Sequence, residues 1–486
     1  MSASADNLGL SRRSLLGGLA AAGGLGIASG AGGLTRASAA TASRAAASVR
    51  VPPAPVAAQQ VRDEFLHVWN GYKQYAWGHD QLNPLSGTYS EFFVPGHPIG
   101  LSIIEALDTL YVMELDSELT AGVSWIEQNL NFDIDGDFHV FEAIIRVVGG
   151  LLAGYLATGS KTLLDLTVDV TDRIMPAFTQ SPTGMPYQYV NFHTGAVSGP
   201  TPPLAEIGTN ILEFGKLSRV TGNPKYYQAS LKAYRSAVAA RSSIGLMATS
   251  LNVETGRWAD TTDPAPNPPV DSFYEYLWGA WAMLGNAQCR DWFYQFNNAL
   301  TKYSLETYHG NVWYKQVNFQ TGALVSRQQS ELAAFWAEVL GYAGQKQLAS
   351  AYYKSWTAVL DQYPVLPEEI DYTTFAAVSK GNQFRPEYPN SSFDLYFQTK
   401  DPYYAATAWQ WFTGMRDNAR VPNGYTIISD VTTRPMKLGD LFPAYGFAED
   451  FKYLYLIFAS SPRFNSRHFW LSTEGKILEG LLPARG

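Results

Sequence analysis

Residues 141–159 read FEAIIRVVGGLLAGYLATG, and this pattern predicts one buried helix. Glu142 and Arg146 are four positions apart, so both side chains lie on the same face of that helix. Apolar residues flank the two charges, and a charge is rarely buried unless it is paired or functional. Two interpretations follow: a structural ion pair or a catalytic acid.

The same unit recurs along the chain: an apolar helix, a short polar or Gly-containing turn, and a second helix. Seven turns are predicted, at 115–117, 158–161, 221–225, 284–288, 343–346, 399–402 and 460–463. One helical hairpin cannot bury its apolar face alone, whereas stacked hairpins can. Seven hairpins form either an open solenoid or a closed α/α toroid. The toroid is favoured because no terminal hairpin has the polar outer face that an open stack needs.

An acidic residue lies near the start of the helix before each turn. The seven acids are Glu105, Glu142, Glu206, Asp271, Glu331, Glu387 and Glu449. Any one of them could simply complement the positive end of a helix dipole. Seven acidic residues at the same position in successive helices, however, predict a shared acidic pocket at one end of the toroid. Crowded carboxylates have pKa values that are pushed apart, which suits the acid and base of glycoside hydrolysis, and they can also hold calcium.

The N-terminus predicts export. Arg12 and Arg13 precede a Gly- and Ala-rich apolar run that ends near a small-x-small cleavage motif at 37–39, which resembles a bacterial twin-arginine signal. We therefore expect a signal at 1–39, an Ala-, Ser- and Pro-rich leader at 40–60 and a single domain at 61–486. The only cysteine, Cys289, cannot form an internal disulfide, so the fold must be held together by its apolar core.

Charge and composition limit the kinds of partner that this protein is expected to bind. The formal net charge is −8, and it becomes −10 without residues 1–39, which carry three arginines and one aspartate. An acidic chain is not expected to bind nucleic acid. No cysteine follows the apolar run of the signal, and no later segment is predicted to span a membrane. We expect a secreted, extracytoplasmic protein without a stable membrane anchor.

Six motifs in order resemble those of glycoside hydrolase family 47, the class I α-mannosidases. They are FEAIIRVVGGLLAGY at 141–155, LAEIGTNILEFGKLSRVTG at 204–222, DSFYEYLWG at 271–279, FRPEYPNSSFDLYFQTKDPYY at 384–404, FAEDFKYLYLIF at 447–458 and STEGKIL at 472–478. The resemblance implies an all-α (α/α)7 barrel whose one end is closed by a C-terminal hairpin. It also implies a calcium-dependent, inverting exo-α-1,2-mannosidase that acts on mannose-containing oligosaccharides or N-glycans, and we expect a monomer.

The motifs also imply roles for individual residues of this chain. By resemblance, Glu142 is the general acid, acting directly or through a water, Asp271 is a rival for that role, and Glu387 is the general base. Thr473 would bind the Ca2+ ion through its hydroxyl and carbonyl oxygens. The remaining residues implied to bind or surround substrate are Arg146, Glu206, Glu275, Glu331, Arg385, Tyr445, Glu449 and Glu474.

Three positions depart from the family pattern. Glu331 stands where a His is usual, Asn390 where a second Glu is usual, and Pro269 near a usual Arg. These positions are implied to contact the leaving sugar and neighbouring branches. The departures leave an alternative open: a toroid that binds mannose glycans in a calcium pocket without cleaving them.

Overall fold

The first helix of the described chain forms part of the domain. The computed structural model describes residues 50–484, so the predicted signal at 1–39 lies outside the described residues, as does the leader up to residue 49. Helix α1 spans Ala54–Tyr75. It begins before the predicted domain boundary at residue 61, and residues 54–60 therefore belong to this helix rather than to a flexible leader.

Six helical hairpins follow α1 in the chain, and each pairs an inner helix with an outer one. The pairs are α2 (Leu101–Val112) with α3 (Asp116–Asn129), α4 (Val140–Thr158) with α5 (Lys161–Thr179), α6 (Leu204–Gly208) and α7 (Ile211–Thr221) with α8 (Lys225–Ala239), α9 (Asp271–Leu284) with α10 (Ala287–Tyr303), a 3-10 turn (Glu331–Phe335) and α11 (Trp336–Tyr342) with α12 (Lys346–Gln362), and α13 (Glu387–Thr399) with α14 (Pro402–Ala419). The first six predicted turns lie within these hairpins.

The seventh pair joins the two ends of the described chain. Helices α15 (Tyr445–Ala448) and α16 (Asp450–Phe458) form the last inner segment. No helix follows within the described residues, so the prediction that the turn at 460–463 joins a seventh hairpin is wrong. Instead, α16 packs against α1. The (α/α)7 barrel is confirmed, and its closure depends on contacts between residues far apart in sequence.

Short antiparallel strands connect each outer helix to the next inner helix. They are β1 (Gln81–Asn83), β2 (Thr88–Ser90), β3 (Asp137–His139), β4 (Tyr189–Asn191), β5 (Val197–Ser198), β6 (Leu251–Asn252), β7 (Arg257–Trp258), β8 (Thr262–Asp263), β9 (Leu305–Tyr308), β10 (Asn311–Tyr314), β11 (Gln316–Asn318), β12 (Leu324–Ser326), β13 (Gln328–Ser330), β14 (Glu369–Asp371), β15 (Ala376–Ser379), β16 (Arg420–Val421), β17 (Gly424–Tyr425), β18 (Ile428–Asp430) and β19 (Lys437–Leu438). Their place in the chain puts them at the end of the barrel where the inner helices begin, and they form its rim.

A C-terminal hairpin of β20 (Trp470–Leu471) and β21 (Ile477–Glu479) carries its connecting loop into the barrel. Buried charges hold this loop, which we call the plug loop (residues 472–476). Lys452 Nζ donates to both carboxylate oxygens of Asp108 at 2.8 Å and to the carbonyl oxygen of Gly475 at 2.6 Å. Asp108 also accepts the Ile477 N–H at 2.8 Å, and Lys476 forms an ion pair with Glu105. The predicted closure of one end by a hairpin is confirmed.

The inner helices are apolar on nearly every side because each is surrounded by other helices. Every residue of α2 is buried. Helix α4 is long and apolar enough to pass as a membrane span by length and composition, contrary to the prediction that no such segment exists. Because 72% of its apolar stretch is buried inside the protein, its composition is explained by its place in the barrel core.

Candidate active site

Arg146 is the centre of a buried carboxylate cluster in α4. Residues Ala143–Val148 wind as a π-helix immediately after Glu142, a feature often found at functional sites. The Arg146 guanidinium donates to Glu142 at 2.6 Å and to Glu105 at 3.1 Å, and it forms an ion pair with Glu474 at 2.6 Å. It also lies 5.2 Å from the centre of the Tyr445 ring. The structure thus brings four predicted site residues together: Glu142, Arg146, Tyr445 and Glu474.

A cavity with about 340 Å³ of empty volume lies next to the plug loop. Five predicted site residues line it, namely Asp271, Glu275, Glu387, Glu449 and Thr473. Asp271 and Glu387 are the first residues of α9 and α13, where the positive end of each helix dipole favours a carboxylate. The remaining lining residues are Ser272, Leu332, Phe335 and Asn390. The cavity therefore combines acids from separate helices with one apolar wall.

Burial raises the pKa values of the cavity carboxyl groups, because it disfavours their charged forms. The pKa of Asp271 rises to about 6, and that of Glu275 to about 8 although the Thr473 hydroxyl donates to it. Burial also raises the pKa of Glu387 to about 8, against the opposing charge of Arg385. The site therefore holds carboxyl groups that exchange protons near neutral pH.

Glu449 and Glu474 connect the cavity to the Arg146 cluster. Their carboxyl groups share a hydrogen bond, so one of them carries the proton. Burial is the main cause that raises the pKa of both groups. The Tyr453 hydroxyl donates to Glu449 at 3.1 Å. Because Glu474 also pairs with Arg146, the protonation of Glu449 is linked to the charge of the Arg146 cluster.

Arg385 and Glu331 lie close to Glu387 but do not line the cavity. Phe384, directly before Arg385, has a φ of +66°, a strained conformation for an aromatic residue. Arg385 donates to Glu368 at 3.0 Å. Glu331 accepts the Asn382 amide at 2.8 Å, and burial, followed by the charge of Glu368, raises its pKa well above the usual value.

Glu206 lies outside the cavity lining and contacts the rim. Its Oε1 atom is 3.2 Å from His139 Nε2, where β3 leads into α4. Burial lowers the pKa of His139, but the hydrogen bond and charge of Glu206 outweigh that effect and raise it overall. Glu142 and Arg146 are also near enough to shift the same pKa. Glu206 therefore belongs to the neighbourhood of Glu142.

The residues around Thr473 fit a hard cation. Two hydrogen bonds in series hold Thr473: its backbone N–H donates to the Tyr276 hydroxyl at 3.3 Å, and that hydroxyl donates to Glu213 at 2.7 Å. Oε2 of Glu387, which lines the same cavity, is buried and accepts no hydrogen bond from another residue, and the same holds for both carboxylate oxygens of Asp450. Burial raises the pKa of Asp450, and Glu387 and Glu474 are near enough for their charges to raise it further. Oxygen atoms are the ligands that calcium prefers. Within residues 50–484, no group of three or more His, Cys, Asp or Glu side chains could hold a metal ion by itself.

Several residues at the site were not predicted. Asp450 directly follows the predicted Glu449, so a second acid in that motif was the available signal. Glu213, whose pKa burial raises to about 7, sits in the apolar run ILEF and could have been found as a charge on a buried face. In the sequence, Leu332 and Phe335 cannot be distinguished from ordinary core residues. Glu368 lies in a connecting segment, where no pattern pointed to the pocket.

Comparisons with known proteins agree with this geometry. A family model described as glycosyl hydrolase family 47 matches residues 64–480. Alpha-mannosidase I MNS5 of Arabidopsis thaliana is 32% identical over 448 residues, which cover 87% of this chain and 76% of that protein. Mannosyl-oligosaccharide 1,2-alpha-mannosidase IB of Homo sapiens is 28% identical, with 86% and 69% covered.

A solved structure also matches. That of an alpha-1,2-mannosidase from Trichoderma reesei has a TM-score of 0.80 and 25% sequence identity, and the match covers 88% of this chain and 99% of the other. The family model spans most of the described chain, and both the barrel and the acidic cavity are in place. The chain therefore belongs to glycosyl hydrolase family 47 and is a glycoside hydrolase.

Proposed function

We propose that this protein is a calcium-dependent, inverting exo-α-mannosidase that removes terminal α-1,2-linked mannose from oligosaccharides or glycoproteins. The observation that carries the proposal is the cavity in which Asp271 and Glu387, on separate helices, meet Thr473 of the plug loop. The names of the relatives, which include mannosyl-oligosaccharide 1,2-alpha-mannosidases, support the sugar and the linkage.

Two carboxyl groups on opposite sides of the scissile bond perform the reaction. An inverting glycosidase uses one carboxyl as a general acid for the leaving oxygen and another as a general base for a water. Glu387 takes the role of base. Asp271 lines the cavity and has a pKa raised to about 6, within the range of a group that gives up a proton. Glu142, which does not line the cavity, would act through a water.

Substrate recognition follows from the cavity walls. Carboxylates accept hydrogen bonds from sugar hydroxyls, and Phe335 and Leu332 offer an apolar surface to a ring face. Arg146 orients Glu142 and Glu474 through ion pairs, so both carboxylates keep fixed positions. The closed end of the barrel suits an enzyme that accepts one terminal sugar.

Thr473 would hold the calcium ion, with the surrounding acids fixing its water ligands. A bound divalent cation favours the ionised form of nearby carboxyl groups and aligns sugar hydroxyls. This would bring Glu387 into the ionised state that a general base needs. The Glu213–Tyr276–Thr473 chain of hydrogen bonds keeps the threonine in place.

The cellular setting completes the proposal. The paired Arg12 and Arg13, the apolar run and the small-x-small motif support a bacterial protein secreted through the twin-arginine route. The acidic net charge of −8 supports glycan substrates rather than nucleic acid. We propose that it works as a monomer without a membrane anchor.

The test is hydrolysis of α-1,2-mannobiose followed by NMR. We expect free mannose to appear first as the β-anomer and to stop appearing in the presence of chelator. Glu387→Gln and Asp271→Asn should each lower kcat at least about 100-fold, the typical contribution of general acid–base catalysis. Asp417→Asn, at an exposed carboxylate, is the control and should change nothing. Full activity of Glu387→Gln would refute the role of the base.

One observation favours a second candidate. Asn390, which cannot act as an acid or base, lines the cavity at a position where the family pattern that this chain resembles implies a second glutamate. A calcium-dependent protein that binds mannose glycans without cleaving them would tolerate this change. In that case α-1,2-mannobiose binds tightly, as measured by calorimetry, and remains intact.

A further inference from the structure

Lys476, the last residue of the plug loop, is buried next to the carboxylate cluster around Arg146. Its side chain and that of Glu105, with which it forms an ion pair, are both 0% exposed. Lys476 Nζ also donates to the carbonyl oxygen of Glu105 at 3.4 Å. A buried ammonium group is costly unless it is paired or functional, so the placement of this lysine needs a reason.

Glu105 links this lysine to the active-site carboxylates. Its Oε2 atom faces Lys476, and its Oε1 atom accepts a hydrogen bond from Arg146 Nη1 at 3.1 Å. The same guanidinium donates from Nε to Glu142 at 2.6 Å, and its Nη1 atom pairs with Glu474 at 2.6 Å. Three carboxylates therefore compete for the single positive charge of Arg146.

Lys476 supplies a second positive charge to this cluster. With the lysine in place, Glu105 is neutralised from one side, and the guanidinium of Arg146 remains available to the other two carboxylates. Without the lysine, Glu105 would attract Arg146 alone, in a buried place where charge–charge attraction is strong. The guanidinium would then move toward Glu105 and away from Glu142.

The fold holds Lys476 in this position from two sides. Its backbone N–H donates to the Ser472 hydroxyl at 3.2 Å, and its carbonyl oxygen accepts the Ser472 N–H at 2.9 Å, so the plug loop is closed on itself. Its side chain runs past Gly149 of α4, where a Cβ atom would lie only 3.2 Å from Cγ of Lys476. The plug loop is thus packed closely against the helix that carries Glu142 and Arg146.

We propose that Lys476 is a positioning residue: it neutralises Glu105 and thereby keeps Arg146 on the other carboxylates of its cluster. These are Glu142, which is proposed to act through a water, and Glu474. Neither Lys476 nor Glu105 lines the cavity, so both act through other side chains rather than on the sugar. The role rests on the proposed function, and it adds a contribution to the reaction rate to the part that Lys476 plays in holding the plug loop.

The first test measures kcat and KM for α-1,2-mannobiose with calcium present. Methionine keeps the length of Lys476 but removes its charge. We expect Lys476→Met to lower kcat about 10- to 100-fold, because a shift of about 1 Å caused away from the reacting atoms can cost about 100-fold in rate. KM should stay within about threefold, since the cavity lining is unchanged. The control is Lys73→Met, which breaks a 2.9 Å pair with Glu118 on the partly exposed side of α1 and should change neither constant.

A rescue variant separates positioning from simple anchoring of the loop. Glu105→Gln combined with Lys476→Met removes both charges of the pair, so Arg146 is no longer drawn away from Glu142. We expect the double variant to have a kcat at least about fivefold higher than Lys476→Met alone. A kcat that is not restored would overturn the positioning role.

Lys452→Met provides a comparison in which the same loop is loosened by another route. The hydrogen bonds of Lys452 go to Asp108 and to the Gly475 carbonyl, not to the Arg146 cluster. We expect its kcat to be at least about fivefold higher than that of Lys476→Met. Equal kcat values would show that both lysines act only by holding the loop, and would overturn the proposal.

Crystal structures of the variants give a result that does not depend on activity. Arg146 Nε lies 2.6 Å from Glu142 Oε2. This distance should exceed about 3.5 Å in Lys476→Met, too long for a hydrogen bond, and should return to its original value in the double variant. An unchanged distance in Lys476→Met would overturn the proposal.

The two proposals fail separately. If the wild-type protein leaves α-1,2-mannobiose intact, the proposed function fails, and the distance between Arg146 and Glu142 still decides whether Lys476 positions the guanidinium. If Lys476→Met does not fold, Lys476→Gln takes its place in both measurements with the same expected results, because glutamine keeps a donor for Glu105 but carries no charge.

Discussion

Replacing Lys452 by methionine tests whether buried charges hold the plug loop in the barrel. Lys452 and Asp108 have side chains that are 0% and 1% exposed, with Nζ 2.8 Å from the carboxylate. Methionine has a similar length but no charge, so Asp108 is left buried and unpaired. Breaking a buried ion pair in this way costs about 3–5 kcal/mol of unfolding free energy. The Gly475 carbonyl also loses its donor.

The chain provides a matched control. Lys161 and Asp165 are the same 2.8 Å apart, but their side chains are 84% and 62% exposed. Lys161→Met should therefore change the unfolding free energy by less than about 0.5 kcal/mol. A second comparison combines Asp108→Asn with Lys452→Met. The asparagine carries no charge, and its amide oxygen can still accept a hydrogen bond from the backbone N–H of Ile477. We expect the double variant to be more stable than Lys452→Met alone.

The assay is equilibrium unfolding in urea at pH 7 with chelator present, so that cation binding does not contribute. Midpoint and slope are read from the same curve, because a change in slope would indicate a changed unfolded state. The reasoning is refuted if Lys452→Met lowers the free energy of unfolding by less than about 1 kcal/mol. It is equally refuted if Lys161→Met lowers that free energy by as much as Lys452→Met does.

Two further predictions concern stability. Burial raises the pKa of Asp263 to about 7 from an ordinary value near 4, so its contribution to unfolding free energy is full below about pH 4 and is lost as the pH rises through about 7. Asp263→Asn should therefore flatten the pH dependence of urea unfolding between pH 4 and 7, and an unchanged slope would contradict this. Gly414→Ala places a Cβ atom 1.9 Å from the Pro364 carbonyl oxygen, so it should cost about 1–3 kcal/mol, measured by the same unfolding assay. Gly122→Ala, whose nearest contact is at 3.1 Å, should cost less; equal losses would refute the steric argument.

Much of the architecture could be predicted because it depends on local patterns. Helices α2 to α14 and their short turns follow from apolar periodicity and from turn residues such as Gly159 and Gly222, which both adopt positive φ at helix ends. Periodicity could not reveal that α16 pairs with α1. That contact is between distant segments, and the apparent seventh turn has the composition of the other six.

Several acids that line the cavity could be predicted from the sequence, but the way in which the predicted residues group could not. In-register acids predicted a shared pocket, and Asp271, Glu387 and Glu449 do line one cavity. Glu142 lies instead in the cluster held by Arg146, and Glu206 faces the rim. Glu142 directly precedes the π-helical winding and Glu206 lies on the short α6, two local departures from a regular helix that residue spacing does not reveal.

The pairing of α16 with α1 has a consequence for the order of folding during synthesis. Of the helices in residues 50–484, α1 leaves the ribosome first, but the helix that covers it is completed only at Phe458. Until then the buried residues of α1, including Phe65 and Trp69, have no α16 to pack against. The contact between α1 and α16 therefore cannot form before the chain has been synthesised as far as Phe458, and forming it closes a loop of nearly the whole domain. Until translation has passed the last inner helix, the apolar face of α1 that α16 covers in the folded protein is left without that cover, and exposed surface of this kind favours aggregation.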